Sequence, residues 1–406
     1  MSDEIPDLNI LDEDNPECDS KPPATRKEPL LLESECSEIL EVSGSPGHRK
    51  FYELGLQPEL LHPLKRPSLP NISISSENVS QSREVFSFIR ENLIGRNTIF
   101  KGPFGTRRAL YCDYVASGQS LEFIEDYIRK EVLPCYGNTH TTTTVTSLQT
   151  TLFRHEARDI VRNAVGAGDK DAVIFTGSGT TGAVHKLINA LKPVFDHCPP
   201  YVFVGPYEHH SNLLPWRELG GKVFRIKETS DGVVDLSDLE TQLRESDAPS
   251  GTLKIGCFAI ASNVTGILVP DLEISSILRK YEALAFWDCA AGAPYVAVDM
   301  NPKGPWGVCP KDAIFFSMHK FVGGPETPGI LVAKEDLFIN QKPDGAGGGT
   351  VFFVTEKNHS YLKNVEDREE GGTPPIIQSI RAGLAMRVKE WATTQAIGER
   401  EREFCR

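Results

Sequence analysis

The chain has no pair of cysteines two residues apart, no uninterrupted apolar run of membrane length, no basic stripe and no internal repeat. Each absence removes a class of protein. Nine scattered cysteines in 406 residues, an odd count, point to free thiols in a reducing compartment and away from a disulfide framework or a structural zinc. A spanning helix needs about 20 apolar residues in succession, and none is found. Met1-Ser2-Asp3-Glu4 shows neither the basic start and apolar centre of a secretory leader nor the arginine-rich, acid-poor composition of a transit peptide, so a cytosolic location is expected. The formal net charge is -13, and the first eighty residues alone hold sixteen Asp/Glu against seven Lys/Arg. Such a surface argues against nucleic acid or membrane as the partner and leaves small molecules bound at local sites.

Residues 1–80 combine acidic clusters, Pro22-Pro23 and serine patches with few aromatics, a composition that does not offset its ordering entropy and predicts a disordered tail. Within it, Glu28-Pro29-Leu30-Leu31-Leu32 is either a short docking motif or an incidental apolar cluster. Beyond it the pattern is globular. Val85, Phe86, Phe88, Ile89 and Leu93 recur at helical spacing, and Gly102-Pro103-Phe104-Gly105 marks a tight turn. Short apolar runs at 172–175, 201–204, 254–260, 283–287, 313–316 and 329–332 read as buried strands, with helical stretches to about 191, at 236–243 and at 272–281. Buried strands with intervening helices predict an α/β fold with a large, mostly parallel sheet covered on both faces, whose ligands bind at strand C-terminal ends.

Five groups stand at or just past such ends. Lys320 closes the apolar run Phe315-Phe316-Ser317-Met318-His319 and precedes Gly323-Gly324-Pro325; it is either a turn lysine or an amine held for an aldehyde in a partly desolvated position. Thr176-Gly177-Ser178-Gly179-Thr180-Thr181-Gly182 joins a strand to a helix and is a tight turn or a phosphate seat; it has neither the Walker spacing nor the dinucleotide fingerprint. Asp288 leaves a buried strand, where a carboxylate caps a helix or needs a cationic partner such as a protonated pyridine nitrogen. Glu208-His209-His210-Ser211-Asn212 could ligate a metal by composition, but adjacent histidines diverge and no third ligand spacing is evident, so a flat imidazole stacked on a planar group is the better use. Asn263 can donate to a phenolate oxygen or satisfy its own loop.

Together these motifs resemble the class V aminotransferase superfamily, closest to its cysteine desulfurase and selenocysteine lyase branch. Glu208-His209-His210-Ser211-Asn212-Leu213-Leu214-Pro215-Trp216 is similar to E-H-H-x-N-x-x-P-W, Ser262-Asn263-Val264-Thr265-Gly266 to S-N-x-x-G, and Ser317-Met318-His319-Lys320 to S-x-H-K. Gly347-Gly348-Gly349 and Glu370-Gly371-Gly372-Thr373-Pro374 resemble the later glycine loop and E-x-G-T-P, so the likeness spans roughly residues 110–390. It implies the fold type I of pyridoxal 5'-phosphate enzymes, a cofactor-binding large domain over 81–345, the start of a small C-terminal domain over 346–406, a small amino-acid substrate and a homodimer. By position, Lys320 would bind the cofactor as a Schiff base and shuttle the substrate's α-proton, and Asp288 would keep the ring nitrogen protonated. His209 would stack on the ring and assist proton transfer, Asn263 would meet the ring oxygen, and Gly179, Thr180, Thr181, Ser317 and His319 would hold the phosphate. Tyr136-Gly137-Asn138-Thr139-His140-Thr141 resembles the family's substrate-flanking loop, and also the Y-G-N-P-H of molybdenum cofactor sulfurases, which makes Asn138 and His140 substrate candidates.

Two departures stand out. Desulfurases continue the aspartate as D-G-A-Q, whereas here the run is Asp288-Cys289-Ala290-Ala291, without the glutamine. The family's persulfide cysteine and substrate-gripping arginine lie well past E-x-G-T-P; Cys405 stands too early for the first, Arg368 and Arg381 match no such contact, and the small domain is expected to be incomplete. Three readings follow: a desulfurase-like or selenocysteine-lyase-like enzyme, another class V reaction such as transamination, epimerisation or Cα–Cβ cleavage, or an inactive binding protein of this fold.

Overall fold

A computed structural model describes residues 79–139, 141–304 and 307–406. The acidic tail expected over 1–80 lies outside the described residues apart from its last two, and the motif at 28–32 and His140 lie outside them too. The described chain opens with α1 (Val79–Glu91), the hairpin β1 (Ile99–Gly102) and β2 (Gly105–Arg108), α2 (Glu122–Tyr127) and α3 (Val145–Ala164). There follow β3 (Asp171–Thr176), α4 (Gly179–Phe195), β4 (Tyr201–Val204), α5 (Leu214–Glu218), β5 (Lys222–Arg225), α6 (Leu236–Glu245), β6 (Lys254–Ala259), α7 (Asp271–Lys280) and β7 (Leu284–Asp288). A minimal pair, β8 (Lys303–Gly304) and β9 (Gly307–Val308), precedes β10 (Ala313–Ser317) and β11 (Gly329–Lys334). Last come the hairpin β12 (Val351–Val354) and β13 (His359–Tyr361), then α8 (Val365–Glu369), α9 (Ile376–Ala392) and α10 (Thr394–Phe404). No helix among the described residues is long and apolar enough to cross a membrane.

The large sheet has the order β3-β11-β10-β7-β6-β4-β5. Only β11 runs against its neighbours. A parallel return from β10 would need a crossover of a dozen or more residues, and the linker 318–328 is too short for one, so the chain turns back as an antiparallel pair. Alternate strand residues enter opposite buried layers, as a two-sided core requires. Val173, Phe203, Phe258, Trp287, Ile314 and Val332 pack with Leu239 and Leu243 of α6, Ile274 and Leu278 of α7, and Ala382 and Met386 of α9. Ile174, Val202, Cys257, Phe286, Phe315 and Leu331 pack with Val184, Leu187 and Leu191 of α4 and with Trp216 of α5. At roughly 1.5–3 kcal/mol per fully buried large apolar side chain, these layers are the main favourable term. Gly256 lets α7 sit directly on the sheet, since a Cβ there would lie 2.3 Å from Leu278 Cδ1.

The six apolar runs anticipated from sequence are strands, each within two residues of its expected ends. β5 was not anticipated, because an edge strand with half-exposed side chains carries no apolar run. At the opposite edge, β3 is finished by side chains. Glu366 Oε1 accepts from Val173 N at 2.7 Å and Glu370 Oε1 from Phe175 N at 2.6 Å, while Arg158 Nη1 donates to Val173 O at 2.7 Å and Arg162 Nη1 to Asp171 O at 2.6 Å. Arg154 and Arg158 both pair with Glu370 Oε2 and lie over the Phe175 ring. Removing one partner from a buried ion cluster leaves charges without compensation. Glu370→Ala is therefore expected to lower unfolding free energy by about 3–5 kcal/mol in urea titrations. A loss below about 1 kcal/mol, the level of an exposed ion pair, would contradict this account of the edge.

Candidate active site

Because six strands point one way, the C-terminal ends of β3, β4, β6, β7 and β10 open on the same edge, where a cleft of about 950 Å³ lies. Gly179, Thr180 and Thr181 line it after β3, His209 after β4, Asn263 after β6, Asp288 at the end of β7, and Ser317, His319 and Lys320 at the end of β10. These nine positions, read separately along some 140 residues of sequence, meet in one cavity. Asn138 does not line it. That residue is exposed, and its neighbour Thr139 faces a second cavity of about 470 Å³ with Arg154 and Glu370. Arg381 pairs with Glu125 at 2.7 Å, Arg368 is buried beside Glu369, Cys405 is exposed at the end of α10, and none of the three lines the cleft.

Register sets the pair at the centre. In the parallel ladder of β7 and β10, Asp288 lies opposite Phe315, and Cys289 N donates to Phe315 O at 2.8 Å. Lys320 follows on a single 3-10 turn, Met318–Lys320. The segment 117–119 straps this turn down: Gly118 N and Ser117 Oγ donate to His319 O at 2.8 and 3.1 Å, and Gly323 N donates to Gln119 O at 2.7 Å. Only glycine fits at 118, where a Cβ would lie 2.0 Å from Phe321 O. Burial holds the half-buried Lys320 amine below its ordinary value, with the Asp288 carboxylate opposing the shift. Asp288 itself is 4% exposed and accepts from Ala290 N at 2.9 Å. Burial raises its carboxyl to about 6, and among the described residues it has no ion pair.

The first turn of α4 faces the same cleft. Ser178 at its N-cap makes no side-chain capping bond, so the positive end of a 17-residue helix is presented to the cavity. Ser317 Oγ accepts from Thr180 N at 2.9 Å and lies 3.0 Å from Thr180 Oγ1, which joins the β3 turn to the end of β10. Gly179 is required twice over: its φ is +58°, and a Cβ would come 2.6 Å from Ser317 Oγ.

Sequence reasoning assigned no role to Glu208, Ser211 or Asn212, although all three stand in the segment that carries His209. Glu208 Oε1 accepts from Gly205 N at 3.2 Å and Ala259 N at 3.0 Å, and its Oε2 accepts from Asn212 Nδ2 at 2.6 Å. Cys257 Sγ donates in turn to Asn212 Oδ1 at 2.8 Å. Burial lifts the Glu208 carboxyl to about 8 against these three donors, with Asp288 adding to the rise. The only available signal was the spacing Glu208 to Asn212, which fits a carboxylate closing a turn on its own loop. Glu326 was also missed; it lines the cleft with a φ of 63°, a strained conformation for a side-chain-bearing residue.

A family model for aminotransferase class-V matches residues 110–405, well over half of the chain. The chain belongs to this family. Among class V relatives, a probable cysteine desulfurase of Halalkalibacterium halodurans is 28% identical over 303 residues, covering 73% of this chain and 70% of the relative. One from Staphylococcus epidermidis is 28% identical over 314 residues, covering 75% and 71%. The apo structure of a cysteine desulfurase from Thermococcus onnurineus superposes with a TM-score of 0.61 at 25% identity, covering 74% of this chain and 69% of that one. A NifS-like protein from Rickettsia africae, at 22% identity and a TM-score of 0.55 over 71% and 70% of the two chains, shares the fold.

The raised carboxyls give the class V chain a definite pH signature. Asp288 and Glu208 hold protons more tightly folded than unfolded, so their contribution is complete below about pH 4 and is lost as pH rises through about 6 and about 8. In urea titrations of the ligand-free chain, Asp288→Asn is expected to remove about 3 kcal/mol of that decline, between about pH 4 and 6, and Glu208→Gln the part that runs from about pH 4.5 to about 8. Unchanged slopes in both variants would show that neither carboxyl carries the shift.

Proposed function

We propose that this chain is a pyridoxal-5'-phosphate-dependent enzyme acting on a small amino acid, with cysteine desulfurase or selenocysteine lyase chemistry as the leading reaction. The carrying observation is the juxtaposition of Lys320 and Asp288 on adjacent strand ends, in one cleft with the N-terminus of α4. The cavity suits that cofactor group by group. A buried carboxylate with no ion pair among the described residues suits a protonated ring nitrogen, a helix N-terminus whose N-cap side chain makes no capping bond, with Thr180, Thr181 and Ser317, suits a phosphate, and a lysine of lowered basicity suits an aldehyde. When bound, the group supplies an electron sink for the bond broken at the substrate's α-carbon.

The side chains divide the remaining work. Lys320 would hold the cofactor's aldehyde end through Nζ and would take up the substrate's α-proton at the same nitrogen. Asp288 holds a proton on the ring nitrogen, and its burial makes that ion pair strong. Thr180, Thr181, Ser317 and His319 hold the phosphate, Asn263 donates to the ring oxygen, and His209 covers the ring face. The division of the chain into a large domain over 81–345 and a small-domain segment over 346–406 belongs to this reading. So does a homodimer, in which a second copy would cover the exposed aromatics Phe104 and Phe352, 82% and 77% accessible. A cytosolic location is supported by seven free cysteines among the described residues. One observation favours a second reading, another class V reaction: Ala291, at the position of the desulfurase glutamine, lines the cleft and presents no polar group to it.

Full chain incubated with pyridoxal phosphate is expected to gain a visible absorption band and, after borohydride reduction, a pyridoxyl adduct on Lys320 by mass spectrometry. Lys320→Ala should lose both. Release of sulfide from cysteine then supports the desulfurase reaction, and amino exchange with a keto acid supports the second reading. A chain that takes up no cofactor on reconstitution overturns the proposal.

A further inference from the structure

The loop carrying His209 dictates which of its ring nitrogens bears the proton. Ser211 N donates to His209 Nδ1 at 3.1 Å, and Ser211 Oγ lies 3.2 Å from the same atom. Thr181 Oγ1 donates to Ser211 Oγ at 2.8 Å, which takes one acceptor site of that oxygen and leaves its own proton free to point at Nδ1. A backbone amide can only donate. Nδ1 must therefore present its lone pair, and the proton of the neutral ring sits on Nε2.

We propose that Ser211, backed by Thr181, is a positioning residue that locks His209 as the neutral Nε2–H tautomer, so that this imidazole serves as a flat hydrogen-bond donor and does not act as a general base. The locking is a property of the chain alone; only its use against a cofactor ring rests on the function proposed above. Accepting a proton at Nδ1 would break the bond from Ser211 N and reverse the Ser211 hydroxyl from donor to acceptor. The surroundings act in the same direction, since partial burial and the neighbouring Lys320 and His210 all disfavour an imidazolium. Two further ties keep the loop from relaxing. Glu208 fixes it to the end of β6 through Ala259 N, and the Thr181 hydroxyl fixes it to the first turn of α4. The phosphate seat and the ring cover are thereby one hydrogen-bonded unit. With His209 locked, the acid–base step that the sequence reading shared between two residues passes to Lys320.

The test is long-range 1H–15N correlation on the full chain with labelled histidine, titrated with and without pyridoxal phosphate, His209 being assigned by its loss in His209→Gln. The expected spectrum shows the Nε2–H tautomer in at least tenfold excess and a titration midpoint below that of an ordinary histidine. Ser211→Ala should raise the midpoint by about half a unit or more and weaken the tautomer bias, with Ser211→Thr restoring both. Thr181→Val, which leaves the Ser211 hydroxyl as well as its backbone donor in place, should move the midpoint in the same direction by less. A ring protonated at Nδ1, or a midpoint unmoved in both Ser211→Ala and Thr181→Val, overturns the proposal. The tautomer is read without cofactor, so a locked ring in a chain that takes up no pyridoxal phosphate supports the lock and overturns only the function proposed above.

Discussion

The parallel register of β7 against β10 is the constraint on which the site depends. It sets Asp288 beside Phe315 and brings the turn bearing Lys320 to the neighbouring strand end, so that a carboxylate and an amine face one cavity from two backbones that cannot slide. Sliding by one residue would exchange Phe286 for Trp287 between the two core layers and turn the carboxylate away from the cleft. The large apolar side chains around the ladder therefore specify the geometry of the polar site. The strap at 117–119 and the close approach at Gly118 complete the constraint by fixing the lysine turn from outside the sheet.

That arrangement has an energetic cost. Asp288 and Glu208 are carboxyls that solvent no longer stabilises, and the Lys320 amine is held in its less basic form by the same desolvation. The buried Asp288 and the half-buried Glu208, both of raised pKa, oppose folding at neutral pH, and the apolar layers on both faces of the sheet offset them. Sites of this kind concentrate unfavourable electrostatics where a charged ligand relieves them. Strain at Glu326 and the tight packing at Gly179 belong to the same cleft.

Much of this was legible in the sequence, for physical reasons that also mark the limit. Buried strands such as 172–175 and 313–316 announce themselves because both faces need apolar side chains, and the polar residues that end them stand out by contrast. The edge strand β5 carries no such signature. The reversal of β11 was readable only from linker length. The functions of Glu208, Ser211 and Asn212 were hidden because the Glu208–Asn212 spacing fits a carboxylate closing its own loop and carries no sign of the distant strand end it also accepts from. Asn138 was proposed from motif likeness alone, and it stands apart from the main cleft, where only tertiary structure could place it. Glu370 was quoted within a motif; its part in completing β3 required knowing which strand lies at the edge.

The carboxylates and guanidinium groups along β3 have a consequence for how molecules of this chain can meet. Their bonds occupy the outward amides of Val173 and Phe175 and the carbonyls of Asp171 and Val173, so no incoming strand finds a free ladder on that side. The other margin, β5, is four residues long and bears Lys222 and Arg225 at its ends, a poor template for extension. Neighbouring copies are left to associate through helices and hairpins, and a sheet growing from molecule to molecule is blocked by the termination of its own rims.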